Sequence, residues 1–98
     1  MFNSLIAELE CPECGARSLQ ECQFRFGNIN CNRYRLGDKL LWGRTQVGEE
    51  SPQALVHAVT ECKSCGYGWD MAIRIEQNEI KEIQPATDDL RAAEFLVR

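Results

Sequence analysis

Two C-x-x-C pairs, Cys11-Pro12-Glu13-Cys14 and Cys62-Lys63-Ser64-Cys65, constrain this chain more than any other feature. Each pair is followed by a glycine, Gly15 and Gly66. Two thiolates separated by two residues can grip one ion from a single tight turn. Two such turns complete a tetrahedron of sulfurs at ~2.3 Å from a zinc ion. Glycine at the end of such a turn accepts positive φ and lets backbone N–H groups approach the sulfurs. Those contacts favour thiolate over thiol. Pro12 pre-sets φ inside the first turn. Any fold built on this pattern must bring positions 11–14 and 62–65 together across the segment 15–61.

The first residues, Met1-Phe2-Asn3-Ser4-Leu5-Ile6-Ala7-Glu8, lack a basic start and reach an acid early, so they do not read as a secretion signal. A cytoplasmic location is the expectation. Structural disulfides do not persist in reducing cytosol, which points the six cysteines toward metal or redox chemistry. One structural Zn²⁺ held by Cys11, Cys14, Cys62 and Cys65 is the preferred reading. Iron suits the same four thiolates and is the second choice. A thioredoxin-like redox pair would open a helix in a βαβ unit, and no such unit is visible. A catalytic zinc needs an open coordination position, which four cysteines do not leave.

Cys11-Pro12-Glu13-Cys14-Gly15 and Cys62-Lys63-Ser64-Cys65-Gly66-Tyr67 resemble the two knuckles of zinc-ribbon and rubredoxin-like proteins. The resemblance covers those two stretches and not the chain between them. It implies a small antiparallel β fold pinned by one tetrahedral metal. Two departures stand out. The segment 15–61 is longer than the ~15–20 residues of a compact ribbon site. Rubredoxins also carry the proline-containing knuckle second, whereas here it comes first.

The 98 residues are expected to form one domain, 44% hydrophobic and 27% charged, as in an ordinary globular protein. No apolar run approaches the ~18–20 residues of a membrane span. Residues 3–10 read equally as a helical turn or as a strand entering the first knuckle. Residues 21–26 alternate, with Cys22, Phe24 and Phe26 on the inner face. Gly27-Asn28 reads as a turn. Residues 32–36 and 39–42 read as a hairpin around Gly37-Asp38, with Gly37 in the first central position of a type II′ turn and Tyr34 and Leu36 on one face. Residues 44–53 read as a mobile loop, and residues 54–61 as a strand. Trp69, Met71, Ile73 and Ile75 point inward from the next strand. Gln77-Asn78 turns the chain, and residues 79–84 return with a bulge that shifts Ile80 and Ile83 out of phase. A C-terminal helix is expected over 87–97, capped by Thr87, with Asp88 and Asp89 at its start and Arg98 at its end. The expected fold class is therefore mostly β: a small antiparallel sheet of five or six strands, a zinc-ribbon-like four-cysteine site and one helix.

The remaining candidates carry weaker signals. Cys22 shares a face with two phenylalanines and reads as a buried, inert thiol. Cys31 lies between two asparagines near a turn. A second metal on Cys22, Cys31 and His57 is a weaker alternative. His57 shares strand parity with Leu55 and Val59 and reads as a packed histidine. No serine and carboxylate are singled out to form a triad with it, and there is no Gly-rich phosphate loop. No enzyme and no small-molecule substrate is therefore expected. Tyr67 and Trp69 are expected to shape the second turn and cover the site.

The net charge of −4 argues against general nucleic-acid affinity. Residues 17–44 nevertheless hold six of the eleven bases against Glu21 and Asp38, interleaved with aromatics. Arginine beside aromatic rings is one way to hold single-stranded nucleic acid. Strand parity sends the rings and the guanidinium groups to opposite faces. Arg25, Arg33, Arg35 and Lys39 form the candidate binding surface, and an acidic partner protein matches it as well as nucleic acid does. The expected role is a small interaction or regulatory module with another protein as partner; the alternative is a nucleic-acid-binding zinc ribbon using segment 17–44.

Overall fold

In the computed structural model, which describes residues 1–97, strands take 53% of the chain and helix 6%. Residues 3–10, ambiguous in sequence, are strand β1 (Asn3–Glu10), paired antiparallel along its whole length with β2 (Arg17–Phe24). This hairpin has the first cysteine pair at its tip. A second long hairpin, β6 (Gln53–Glu61) and β7 (Gly68–Glu76), has the second pair at its tip. β8 (Glu79–Pro85) returns along β7. The register shifts between Arg74 and Ile75, so that Ile75 faces Ile80 while Arg74 faces Glu82. This is the bulge expected from the phase error. Gln77 and Asn78 both take positive φ in the turn between them.

Cross-strand partners share a face. One inner row runs Asn3, Phe24, Ala58, Met71, and another pairs Val56 with Ile73. Cys22, Phe24 and Phe26 are all buried, as the alternation predicts. β2 and β6 share only the pairs Gln23–Val59 and Phe24–Ala58. They part toward the cysteine end, where one further link is the Thr60 hydroxyl donating to the Glu21 carbonyl at 3.0 Å.

The expected hairpin over 32–42 does not form. β4 (Arg33–Tyr34) instead runs parallel to β1, through Ser4–Arg33 and Leu5–Tyr34. Asp38 N donates to Arg35 O, which puts Gly37, at φ +92°, in the second central position of the turn. That is the place for glycine in a type II turn, whose geometry splays the flanking strands apart. The chain then meets the opposite edge strand: Gly37 N reaches Ile80 O at 2.8 Å, and Leu40 N reaches Asn78 O at 2.9 Å. One segment therefore bridges both edges of the curled sheet. Tyr34 is buried and its hydroxyl accepts from Leu41 N, whereas Leu36 is exposed and does not share its face.

Gly27-Asn28 is not a simple turn but the short strand β3, paired with β5 (Gln46–Val47) inside the segment expected to be a loop. The C-terminal helix is shorter than expected. α1 spans Asp88–Ala93, Glu94 ends it at φ +67°, and Phe95–Val97 form strand β9. Phe95 is drawn to the core, its ring 5.2 Å from that of Phe26. β9 pairs with β6 at Ala54–Val56, along the part of that edge where β2 does not run. Of Leu90, Ala93 and Val97, which a helix over 87–97 would line up on one face, only Leu90 is buried. The Thr87 side chain makes no cap hydrogen bond, and its carbonyl accepts from Arg91 N instead. Arg98, expected at the helix end, lies outside the described residues.

Leu90 is fully buried and anchors α1 to the sheet. Leu90→Ala is expected to cost about 2–5 kcal/mol, the range for a truncated core leucine. Urea unfolding of the two proteins measures this, and a cost under half a kilocalorie would show that the helix is not anchored there.

Candidate metal centre

The two cysteine turns are built alike. In the first, Cys11 N donates to Ala16 O and Gly15 N donates to Cys11 O, both at 2.9 Å. In the second, Cys62 N donates to Tyr67 O and Gly66 N donates to Cys62 O, both at 2.8 Å. Gly15 and Gly66 take φ +76° and +79°, a region that L side chains rarely adopt. The glycine N–H groups themselves go to carbonyls, while other backbone N–H groups of the turns approach the sulfurs, as expected. The amide contacts to sulfur come from Cys14 N to Cys11 Sγ and Ser64 N to Cys62 Sγ, at 3.5 and 3.4 Å. Pro12 sits exposed in the first turn.

The long register of each hairpin carries these turns to the same place. The four sulfurs lie within 4.8 Å of one another. Cys11 Sγ is 3.7 Å from Cys65 Sγ, and Cys14 Sγ is 3.7 Å from Cys62 Sγ. A tetrahedron with metal–sulfur bonds of ~2.3 Å has edges of about 3.8 Å. The separations therefore match an ion at the centre and are too long for a disulfide at ~2.05 Å. Each hairpin contributes one buried cysteine, Cys11 and Cys62, and one exposed, Cys14 and Cys65. Four cysteines placed in this way are able to hold a metal.

Backbone N–H groups, burial and the neighbouring sulfurs shift Cys14, Cys62 and Cys65 in different directions. The backbone N–H of Cys65 is the largest influence on Cys62 and lowers its pKa to about 6, against the opposing effect of burial. At Cys65 the Tyr67 N–H pulls the other way, but burial and the neighbouring cysteines push the thiol up to about 12. Cys14 is also raised: the Ala16 N–H lowers it, and burial with the Cys11 and Cys62 sulfurs outweighs that.

The other candidates lie elsewhere. Cys22 is buried on the inner face, and burial raises its pKa to about 11, which makes it a poor nucleophile. Cys31 is exposed at φ +54°. Among the described residues the four-cysteine cluster is the one grouping of three or more ligand side chains, so Cys22, Cys31 and His57 do not assemble a second site. His57 lies half-buried with Nε2 2.7 Å from Asp70 Oδ1, while Arg91 Nε holds the other oxygen at 3.1 Å. The His57 hydrogen bond is the main cause that keeps the Asp70 carboxyl below its usual range. Sequence reading missed this link between hairpin and helix; the β6–β7 register, which sets Val59 opposite Asp70, was needed to find it. The Tyr67 ring stacks on Trp69 with centroids 6.1 Å apart.

The basic candidates differ in their surroundings. Arg33 lies on edge strand β4, and Arg25 borders a shallow cavity with Phe2 and Val59. Arg35 N is held by Asp38 in the turn. Lys39 Nζ is engaged by Gln77 O at 3.3 Å and Glu79 at 3.8 Å. No helix among the described residues is long and apolar enough to cross a membrane. In comparison with known proteins, the chain matches no family model, no curated protein and no solved structure.

Two outcomes are expected. Gly15→Ala and Gly66→Ala meet no neighbouring atom within 4 Å, so backbone strain is their main penalty. Each should cost ~1–2 kcal/mol, read as a lower unfolding midpoint with the metal still bound. Metal affinity should fall on acidification, because ligand thiols must lose protons to bind. With Cys14 and Cys65 both raised, at least their two protons leave at neutral pH. The apparent affinity should therefore drop at least about a hundredfold per pH unit. Competition with a chelator of known proton dependence measures it; a pH-independent affinity would show that the thiols are not the ligands.

Proposed function

We propose that this chain is a small zinc-dependent protein-interaction domain in which the ion is structural and no reaction is catalysed. The four-sulfur cluster is the observation that carries the reading. A tetrahedron of thiolates saturates zinc and leaves no position for substrate or water. Zinc is preferred over iron because the role needs a fixed geometry and no change of oxidation state. The position of the cluster supports a structural role, since it joins two hairpins where their own pairing is sparse.

A domain of this size buries only ~60–65% of its unfolded surface and has a marginal core. Structural zinc contributes on the order of 10–16 kcal/mol of apparent binding free energy, comparable with the ~5–15 kcal/mol net stability of a domain. Chelation is therefore expected to open the cysteine end first. The β6–β7–β8 pairing farther from the tips should retain more protection. Hydrogen exchange with and without chelator reads this directly, and an unaltered pattern would remove the structural role.

Metal analysis should return one zinc per chain and a colourless protein; a coloured, redox-active sample would assign iron. Affinity capture with the zinc-loaded chain should return a stoichiometric protein partner, and its absence would count against the interaction role. A gel-shift series with single-stranded nucleic acid should show no binding at low salt. Binding that weakens steeply with salt would instead favour the nucleic-acid reading.

A further inference from the structure

The edge of β1 that faces away from β2 is not used by the metal centre. β4 covers it only at Ser4 and Leu5. Ser4 N donates across this edge to Asn32 O at 2.9 Å, whereas Cys11 N donates to the β2 side, to Ala16 O. In an antiparallel strand each residue sends its N–H and C=O to one side, and successive residues alternate. Ser4 therefore sets the direction of Ile6, Glu8 and Glu10, whose backbone groups all point outward. The Leu5–Tyr34 pairing with β4 already takes the Ile6 N–H, and among the described residues no strand pairs with Glu8 or Glu10 on that side. Two donors, the N–H groups of Glu8 and Glu10, and three acceptors, the carbonyls of Ile6, Glu8 and Glu10, stand on an open edge, a ready template for another strand.

The side chains select what can pair there. Ala7 and Leu9 point inward and are buried. Glu8 and Glu10 are exposed along the edge, and Glu13 follows at the tip. Arg17 meets Glu8 at 2.6 Å, and no ion pair engages Glu10 or Glu13 among the described residues. A second copy pairing antiparallel about Glu8 would set Glu8 opposite Glu8, with Glu10 close by. Like charges directly opposite destabilise a sheet, so the edge is protected against self-association. The same carboxylates favour a strand with Lys or Arg at alternate positions. Main-chain hydrogen bonds then supply affinity, and charge supplies selectivity.

We propose that the outer edge of β1, residues 6–10, receives an extended basic segment of a partner protein by strand addition. This rests on the interaction-domain reading and names where and what that domain binds. Because Cys11 follows Glu10 directly, the metal fixes one end of the docking edge.

The test uses the ¹⁵N-labelled, zinc-loaded full chain and two short synthetic peptides, one alternating Lys and Val, the other Glu and Val. At low salt the Lys-Val peptide should slow amide exchange about tenfold at Glu8 and Glu10. The Glu-Val peptide should leave those amides unchanged. Glu8→Pro removes an outward N–H that β2 does not use, so it should abolish the protection while the cysteine-turn resonances stay in place. If that variant does not fold, the double variant Glu8→Lys, Glu10→Lys should reverse the preference toward the Glu-Val peptide. Protection confined to other amides, equal response to both peptides, no response at low salt, or dimerisation through this edge would overturn the proposal. A partner captured equally by wild type and Glu8→Pro would remove the edge and leave the interaction role standing. Loss of every stoichiometric partner would instead remove the role itself.

Discussion

Four thiols meet where two long hairpins have little else to hold them together. Within each hairpin the ladder is continuous, through eight residue pairs in β1–β2 and nine in β6–β7. Between β2 and β6 it shrinks to two pairs at the far end. Separation of the tips breaks few backbone hydrogen bonds, so sheet pairing alone opposes it weakly. The sulfur cluster lies at the point of greatest leverage against that opening. An ion held there would join the two tips into one rigid end, and its binding free energy would then act as folding free energy.

At the opposite end the same problem is solved without metal. The segment that follows β4 carries hydrogen bonds from one sheet edge to the other. Asn78 secures it from two directions, accepting from Trp42 Nε1 at 2.6 Å and donating to Leu40 O at 3.0 Å. β9 completes the free part of the β6 edge. The bridging segment covers β8 at Ile80 and β9 covers β6 at residues 54–56, while the outer edge of β1 at Glu8 and Glu10 is open and carries alternating glutamates. In the proposed strand addition, edge protection and partner selection would be one electrostatic property of Glu8 and Glu10.

The sequence was informative wherever a residue's role depends on its immediate neighbours. C-x-x-C-Gly names a ligand turn because the two thiols and the positive-φ residue act over a span of five positions. Period-two alternation identified the buried faces of Cys22, Phe24 and Phe26, and of Ile73 and Ile75. The phase error in residues 79–84 betrayed the bulge. All three signals are local, and local chemistry is printed in the order of the residues.

Tertiary structure decided what local preference leaves open. Gly37 supplies positive φ to either kind of turn, and only pairing with β1 and β8 chose the one that separates the strands. Phe95 continues a helical pattern in sequence, yet burial beside Phe26 and an unpaired stretch of β6 turned it into strand. The direction of each backbone N–H on β1 depends on its partner strand and cannot be read from side-chain alternation alone. Sequence therefore determined the ligand set and most inward faces, because those follow from spacing along the chain. The fold determined which edges close, which tips meet and which edge stays open, because those depend on hydrogen bonds between residues far apart in sequence.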